Sequence, residues 1–175
     1  MAGFKEVKEK FNGLSKQEKE NLLKDIYQFS GDMKLFLESP FTDTDTGKEF
    51  IELYNPTNSD IDLKDWSLKI TASGSQTPSS LAKLGSSKDD RTLIKSKRFL
   101  LLGFNGYSAT PTADVKRSAS LPNSSATISL TSDSGAIIDS TTYDGSIKEG
   151  NSWERESYDS NSFKAESSPS PTNSL

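Results

Sequence analysis

The sequence contains no cysteine and no histidine. Their absence excludes disulfides, zinc sites built from thiolate or imidazole, and catalysis by Ser-His-Asp or Cys-His groups. Any chemistry would have to use carboxylates, lysines and hydroxyl groups. Long apolar runs are also missing, since the longest covers only residues 99–102 and a bilayer span needs about 18 residues.

Apolar residues and excess positive charge are scarce as well. Hydrophobic residues make up 31% of the 175 residues, below the roughly 45–50% of globular proteins even when glycine is allowed for. A thin core of this kind fits a sandwich or small barrel better than a doubly wound enzyme. The net charge of −4 disfavours a general binder of nucleic acid or of anionic membranes.

Residues 1–10 carry five charged side chains and no apolar core typical of a signal peptide. We therefore expect a cytoplasmic protein with no membrane contact.

Composition changes near residue 40, which predicts two modules. Residues 1–39 contain no threonine, place apolar residues at three- and four-residue steps, and carry Ser15 and Glu18 at capping-box spacing. We predict a short helical module over residues 1–39, a sandwich over 40–170 and a flexible tail over 171–175. The helical module is too small to fold unaided, so it should dock on the sandwich or on a partner.

Residues 40–170 show the period-2 alternation of β-strands. Trp66, Leu68 and Ile70 alternate with polar residues, which indicates a strand with one solvated face. The other predicted strands lie at residues 49–54, 99–102, 115–121, 126–131 and 136–142 and around Trp153 and Phe163. Long connections are predicted at 72–91 and 103–114. Seven or more short strands favour an antiparallel sandwich or barrel.

The stretch from Lys48 to Ile70, KEFIELYNPTNSDIDLKDWSLKI, resembles the signature of the lamin tail domain family, in particular its bacterial members. Later segments match the family in the same order, at residues 96–103, 128–130, 143–144 and 151–155. The resemblance covers about residues 47–170. It implies an immunoglobulin-like antiparallel β-sandwich whose roles are interaction and scaffolding rather than catalysis.

One departure concerns the start of the sandwich. Members of that family usually have another strand before the signature, and residues 33–39 stand in its place here. This segment is either a last short helix of the first module or a substitute first strand. If it is not a strand, the sandwich lacks its first strand. The N-terminal part also resembles small bacterial helical domains of unknown function.

Seven residues are predicted to have structural roles. Trp66 is expected to fill the centre of the sandwich, where a buried indole removes about 150–250 Å² from water. Asn55 is expected to hydrogen-bond its own turn, whose backbone Pro56 fixes. The complete set is Phe50, Leu53, Asn55, Pro56, Trp66, Leu68 and Trp153.

Basic residues form one candidate binding strip. It consists of Lys95, Lys97, Arg98, Lys116 and Arg117. The aromatic residues Phe104 and Tyr107 lie close by in the sequence, and basic residues interleaved with aromatics can bind single-stranded nucleic acid. The same residues fit the solvent face of edge strands. Nucleic acid is therefore an alternative partner, while a protein partner or self-association is favoured.

The acidic and hydroxyl motifs are weak. Residues 43–49 begin like a calcium loop, but the glycine is one place early and the twelfth position is Tyr54. Asp60, Asp62 and Asp65 form an acidic cluster that a polar loop explains equally well. Ser80 and Lys83 match the Ser-x-x-Lys pattern of acyl-transfer enzymes without its companion elements. We predict no catalytic residue, metal or cofactor, and a carboxylate-based hydrolase is the least favoured alternative.

Overall fold

The computed structural model describes residues 13, 15, 34–36, 47–145, 150–157, 160–167 and 169–174. The chain divides into two compact units, Met1–Asp32 and Met33–Leu175. Only Gly13 and Ser15 are described in the first unit, so the helical module predicted there lies outside the described residues and stays a prediction.

The described part of the second unit is built from short strands. In chain order they are β1 (Lys34–Phe36), β2 (Phe50–Tyr54), β3 (Ile61–Asp62), β4 (Ser67–Ala72), β5 (Ser79–Lys83), β6 (Leu93–Ile94), β7 (Phe99–Gly103), β8 (Val115–Lys116), β9 (Ala126–Thr131), β10 (Ile137–Tyr143), β11 (Ser152–Arg155) and β12 (Phe163–Glu166).

These strands form two four-stranded sheets, in the orders β1-β2-β7-β8 and β10-β9-β4-β5. The pairs β3-β6 and β11-β12 form separate two-stranded sheets. Pairing is antiparallel except between β7 and β8, where Leu102 lies opposite Val115 in a parallel arrangement. The predicted mainly β, sandwich-like class is confirmed.

The main core lies between the two larger sheets. Alternate side chains from both sheets enter it, for example Ile51 and Leu53 from β2 and Leu68 and Ile70 from β4. Trp66, which precedes β4, belongs to the same cluster and is only 7% exposed. The indole therefore lies in the core, as the alternation of Trp66, Leu68 and Ile70 with polar residues predicts.

Residues 34–36 settle the open question about the first strand. They pair antiparallel with β2, with Lys34 opposite Tyr54 and Phe36 opposite Glu52. The helical interpretation of these three residues is therefore wrong. β1 satisfies the backbone groups of β2 that would otherwise be left at an open sheet edge.

Other strands differ from the sequence prediction in length or existence. The strand predicted over residues 115–121 contains only Val115–Lys116, and β5 lies inside the predicted connection 72–91. β5 is an edge strand that begins with two exposed serines, so its apolar alternation is too weak to predict. In the part of the chain that the structure describes, no helix has the length and apolar content to cross a membrane.

Candidate functional site

The candidate site lies on the face of β2 and β7 that points away from the main core. Phe50, Glu52 and Tyr54 alternate with the core residues of β2, yet each is at most 7% exposed. Phe50 packs there with Leu101 in a second hydrophobic cluster. Another layer of chain must therefore cover this outer face of the sheet.

Residues 104–114 supply the first part of that cover. The Tyr107 ring packs edge-on against Phe50, with ring centroids 6.2 Å apart. This approach requires a glycine at position 103, because an added Cβ would lie 2.5 Å from the Cβ of Tyr107. The Tyr107 hydroxyl donates to the Pro111 carbonyl at 3.2 Å. The loop is thus held flat against the sheet.

The segment of residues 169–174 supplies the second part of the cover. The Thr172 N–H donates to the Glu52 carboxyl group. The Ser174 N–H and hydroxyl donate to the Asp114 carboxylate at 2.8 Å and 2.5 Å. Within residues 171–174, which the sequence predicts as part of a flexible tail, Thr172 and Ser174 are hydrogen-bonded to side chains of β2 and of the covering loop.

Asp114 links this segment to the sheet itself. Its side chain is 0% exposed and accepts the Leu101 N–H at 2.9 Å. Arg91 lies on its other side, with a nitrogen 3.4 Å from the carboxylate. One buried carboxylate therefore connects β7, the end of the covering loop and the 169–174 segment.

A cleft of about 290 Å³ opens between the covering layers and the sheet, and we call it the groove. Most of its surface is apolar or proline. The lining residues are Lys48, Phe50, Tyr107, Ala109, Thr110, Gly150, Pro169 and Pro171. Two prolines of the 169–174 segment thus form part of the wall of the groove.

Glu52 is the electrostatically unusual group beside the groove. Burial raises its pKa from 4.5 to about 8, the Thr172 N–H opposes the rise, and the negative charge of Glu154 adds to it. Burial and the nearby Glu52 also raise the pKa of Tyr107. At neutral pH the Glu52 carboxyl group is therefore mostly protonated, which allows it both to donate and to accept hydrogen bonds.

The predicted basic strip divides into two groups along β7. Residues 95–98 precede β7, whereas Lys116 lies opposite Gly103 at the other end of that strand. A strand of five residues separates the two groups by roughly 15 Å. The aromatic residues expected to stack bases, Phe104 and Tyr107, are 0% and 3% exposed.

Individual members of the strip also have protein partners. Lys95 forms an ion pair with Asp60 at 2.7 Å, and the Lys97 ammonium group donates to the Pro56 carbonyl. Arg117 donates to both carboxylate oxygens of Asp90, at 2.9 Å and 2.7 Å. Lys95, Lys97 and Arg117 therefore stabilise turns of the sandwich in addition to any role on its solvent face.

The ion pair of Arg117 and Asp90 yields a stability prediction. Replacing Arg117 by alanine should lower the free energy of unfolding by about 2 kcal/mol, because the Asp90 side chain is 3% exposed and would lose its partner. Urea denaturation followed by tryptophan fluorescence measures the change. The exposed Arg98→Ala is the matched control and should cost less than about 0.5 kcal/mol. Equal effects of the two variants would contradict a structural role for Arg117.

The predicted structural residues lie at four kinds of position. Phe50 lies in the outer cluster, and Leu53, Trp66 and Leu68 lie in the main core. Asn55 is 0% exposed in the turn after β2, which Pro56 continues.

Trp153 on β11 packs against the main core from its edge. Its indole N–H donates to the Thr141 hydroxyl at 3.2 Å, and its ring stacks on Phe163 at 6.2 Å. The β11-β12 pair is thereby attached to β10.

The acidic candidates are separated rather than gathered. Asp60 pairs with Lys95, Asp65 pairs with Lys83 at 2.9 Å, and Asp62 accepts from the Thr92 hydroxyl at 2.7 Å. The ion pair with Asp65 also occupies the lysine of the Ser-x-x-Lys pattern. Within the described ranges, no three acidic side chains gather in a way that could hold a metal ion.

The calcium-loop prediction falls mostly on residues 43–46, which lie outside the described residues. Glu49, its last member, is buried, accepting the Asn105 amide and the Leu121 N–H, each at 2.7 Å. The two carboxylate oxygens of Glu49 thus fasten the loop that follows β7 and the connection that follows β8.

Glu52, Asp114 and the 169–174 segment were not predicted as site residues. One signal for Glu52 was present, because it alternates with Phe50 and Tyr54 and so interrupts an apolar face. Asp114 had no local signal, since its partners lie 13 and 60 residues away in the sequence.

A family model described as Lamin Tail Domain matches residues 34–145. The match begins at the first residue of β1 and ends two residues after β10, so β11, β12 and the 169–174 segment lie beyond it. No curated protein matches the chain at a significant level.

Proposed function

The chain belongs to the lamin tail domain family, and from this premise we propose that it is an interaction or scaffolding module without catalytic activity. Domains of this family are immunoglobulin-like interaction modules. The observation that carries the proposal is the groove, an apolar channel beside a sheet face to which a segment of the chain is already hydrogen-bonded.

The partners of the buried carboxylates favour binding over catalysis. Glu49, Asp90 and Asp114 each accept hydrogen bonds from donors that position loops of the sandwich. A general acid or base needs a proton path to a substrate within hydrogen-bond reach. These three carboxylates are committed to the fold instead.

The proposal extends to the kind of partner. We infer a protein partner or self-association, because the groove is lined by aromatic, proline and small residues and is not dominated by positive charge. Cytoplasmic location and bacterial origin stay predictions from the sequence.

Sedimentation velocity over a hundredfold range of concentration, combined with affinity capture by the full chain, tests the proposed function. We expect either concentration-dependent self-association or one partner retained in stoichiometric amount after washing. A chain that stays monomeric and retains no partner, or one that hydrolyses a substrate at a rate abolished by a single carboxylate substitution, would overturn the proposal.

A gel-shift experiment addresses the alternative of nucleic-acid binding. At about 50 mM salt we expect no retardation of a single-stranded oligonucleotide, because the two basic groups lie at opposite ends of β7 and their neighbouring aromatics are buried. A shift that weakens with added salt and disappears in Lys97→Ala would contradict this expectation. The variant Lys69→Ala, on the other sheet, is the charge-matched control.

A further inference from the structure

We propose that the groove, together with the adjoining sheet face that the 169–174 segment covers, is a binding site for an extended, uncharged, proline-containing peptide of a partner protein, and that the 169–174 segment is its resident competitor on that face. This inference rests on the proposed function and names the partner's chemistry. The segment shows what fits, because it forms part of the groove's wall and is hydrogen-bonded to the adjoining sheet face with no helix or strand of its own.

The first element of recognition is apolar. Pro169 and Pro171 line the groove together with the rings of Phe50 and Tyr107. Two prolines with one residue between them favour an extended backbone that loses little conformational entropy on binding. Grooves lined by aromatic side chains are the usual binding surface for such segments. A partner peptide would place its prolines against the same two rings.

The second element of recognition is polar and has a fixed spacing. Glu52 receives the N–H of Thr172, and Asp114 receives the N–H and hydroxyl of Ser174, two residues further on. The Asn173 side-chain amide between them donates to the Thr112 carbonyl at 3.1 Å. The sheet face therefore binds two backbone N–H groups and one hydroxyl group on the C-terminal side of the two prolines.

The charge of the site restricts the partner further. The hydrogen-bond acceptors are the mostly protonated Glu52 and the Asp114 carboxylate, and Glu154 adds negative charge near Glu52. A carboxylate or phosphate placed beside Asp114 or Glu154 would be repelled, and residues 167–174 contain no charged side chain. The proposed ligand is thus a peptide of the type Pro-x-Pro-Thr-x-Ser.

Tethering explains why this ligand site is masked in the single chain. A segment joined by a short linker reaches an effective concentration on the order of millimolar at its own site. A free peptide with the same contacts must displace it and so binds weakly. Release of the segment should uncover the full affinity of the groove.

Fluorescence anisotropy with the full chain tests this proposal. The probe is a fluorescein-labelled peptide with the sequence of residues 167–174. The release variant is Ser174→Asp, which places a carboxylate against the buried Asp114. The charge-matched control is Ser124→Asp, an exposed position before β9 on the other sheet.

The release variant should bind the probe at least about tenfold more tightly than the wild type and the Ser124→Asp control. A probe with both prolines replaced by alanine should bind the release variant several-fold more weakly. Amide hydrogen exchange on the same samples should show Thr172 and Ser174 protected in the wild type and unprotected in the release variant. If Ser174→Asp leaves them protected, Pro171→Gly replaces it as release variant.

Equal probe binding by released and unreleased chains would overturn the proposal, as would unprotected amides in the wild type. A wild-type dimer that dissociates when unlabelled peptide is added would assign the groove to a second copy of the chain and also overturn it. Neither result would affect self-association or partner capture through another surface, so failure of this proposal is distinguishable from failure of the proposed function.

Discussion

Replacing Asn55 by alanine is expected to lower the free energy of unfolding by about 4 kcal/mol. The Asn55 amide nitrogen donates to the carbonyls of Ser59, Ile94 and Lys95, at 2.8 to 3.2 Å. Its amide oxygen accepts the N–H and hydroxyl of Thr57, at 2.9 and 2.8 Å. Since Asn55 is 0% exposed, alanine would leave several of these groups unpaired at about 1–3 kcal/mol each.

Asn55 also joins two parts of the sandwich through its backbone. Its N–H donates to the Arg98 carbonyl at 3.0 Å, and its carbonyl accepts the Lys97 N–H at 3.0 Å. Lys97 has a φ of 59°, an unfavourable conformation for lysine that the surrounding hydrogen bonds maintain. The side chain of Asn55 therefore fixes the turn that leads into β7.

Urea denaturation of Asn55→Ala measures the loss, and two further variants make the result specific. Asn55→Asp keeps the acceptor but loses the donors, so it should be at least as destabilising as alanine because a carboxylate would face three carbonyl oxygens. Pro56→Ala, which changes the turn without removing these bonds, should cost about 1 kcal/mol. A loss below 1 kcal/mol for Asn55→Ala would show that the side chain does not hold the turn.

Replacing Glu52 by glutamine is expected to stabilise the protein at alkaline pH by up to about 5 kcal/mol. The pKa of Glu52 is about 8 in the folded chain against 4.5 in an exposed glutamate, mainly because of burial. Between these two values the folded state holds a proton that the unfolded state has lost. The free energy of unfolding of the wild type therefore falls from about pH 4.5 to pH 8, at up to 1.4 kcal/mol per pH unit.

Glutamine keeps the shape of the side chain and has no proton to lose. The variant should match the wild type near pH 4.5 and exceed its stability progressively up to pH 8, beyond which the difference is constant. Urea denaturation at half-unit steps from pH 5 to pH 9 measures this slope. Glu156→Gln, an exposed glutamate just after β11, removes the same charge without burial and is the control.

Identical pH slopes for wild type and Glu52→Gln would contradict the prediction. So would a larger stability of the wild type at pH 9, because it would mean that the Thr172 N–H stabilises the charged form more than burial destabilises it.

Local alternation was enough to predict much of the sandwich. The strand predicted at residues 126–131 coincides with β9, and β4 carries the alternation that begins at Trp66. Side chains of a strand point to opposite faces in turn, so a buried face leaves its period in the sequence. β5 was missed and β8 was predicted too long, because their residues depart from that period.

The site was predicted much less well than the fold. The basic strip was assembled from residues close in sequence to aromatics, and the structure separates its two halves along β7 and buries both rings. The 169–174 segment lacks any apolar pattern, and its contacts are to Glu52 and Asp114, which lie 120 and 60 residues away. Neither the separation of the two basic groups nor the contacts of the 169–174 segment can be predicted from neighbouring residues in the sequence.

The sequence by itself determined the class of fold, the position of Trp66 in the core and the exclusion of thiol and imidazole chemistry, because composition and period-2 burial are properties of neighbouring residues. Only the tertiary structure decided that residues 34–36 are a strand, that Glu52 is a buried carboxyl group and that a proline-containing segment lines the groove. Those features depend on hydrogen bonds and desolvation between segments that the chain brings together only when it folds.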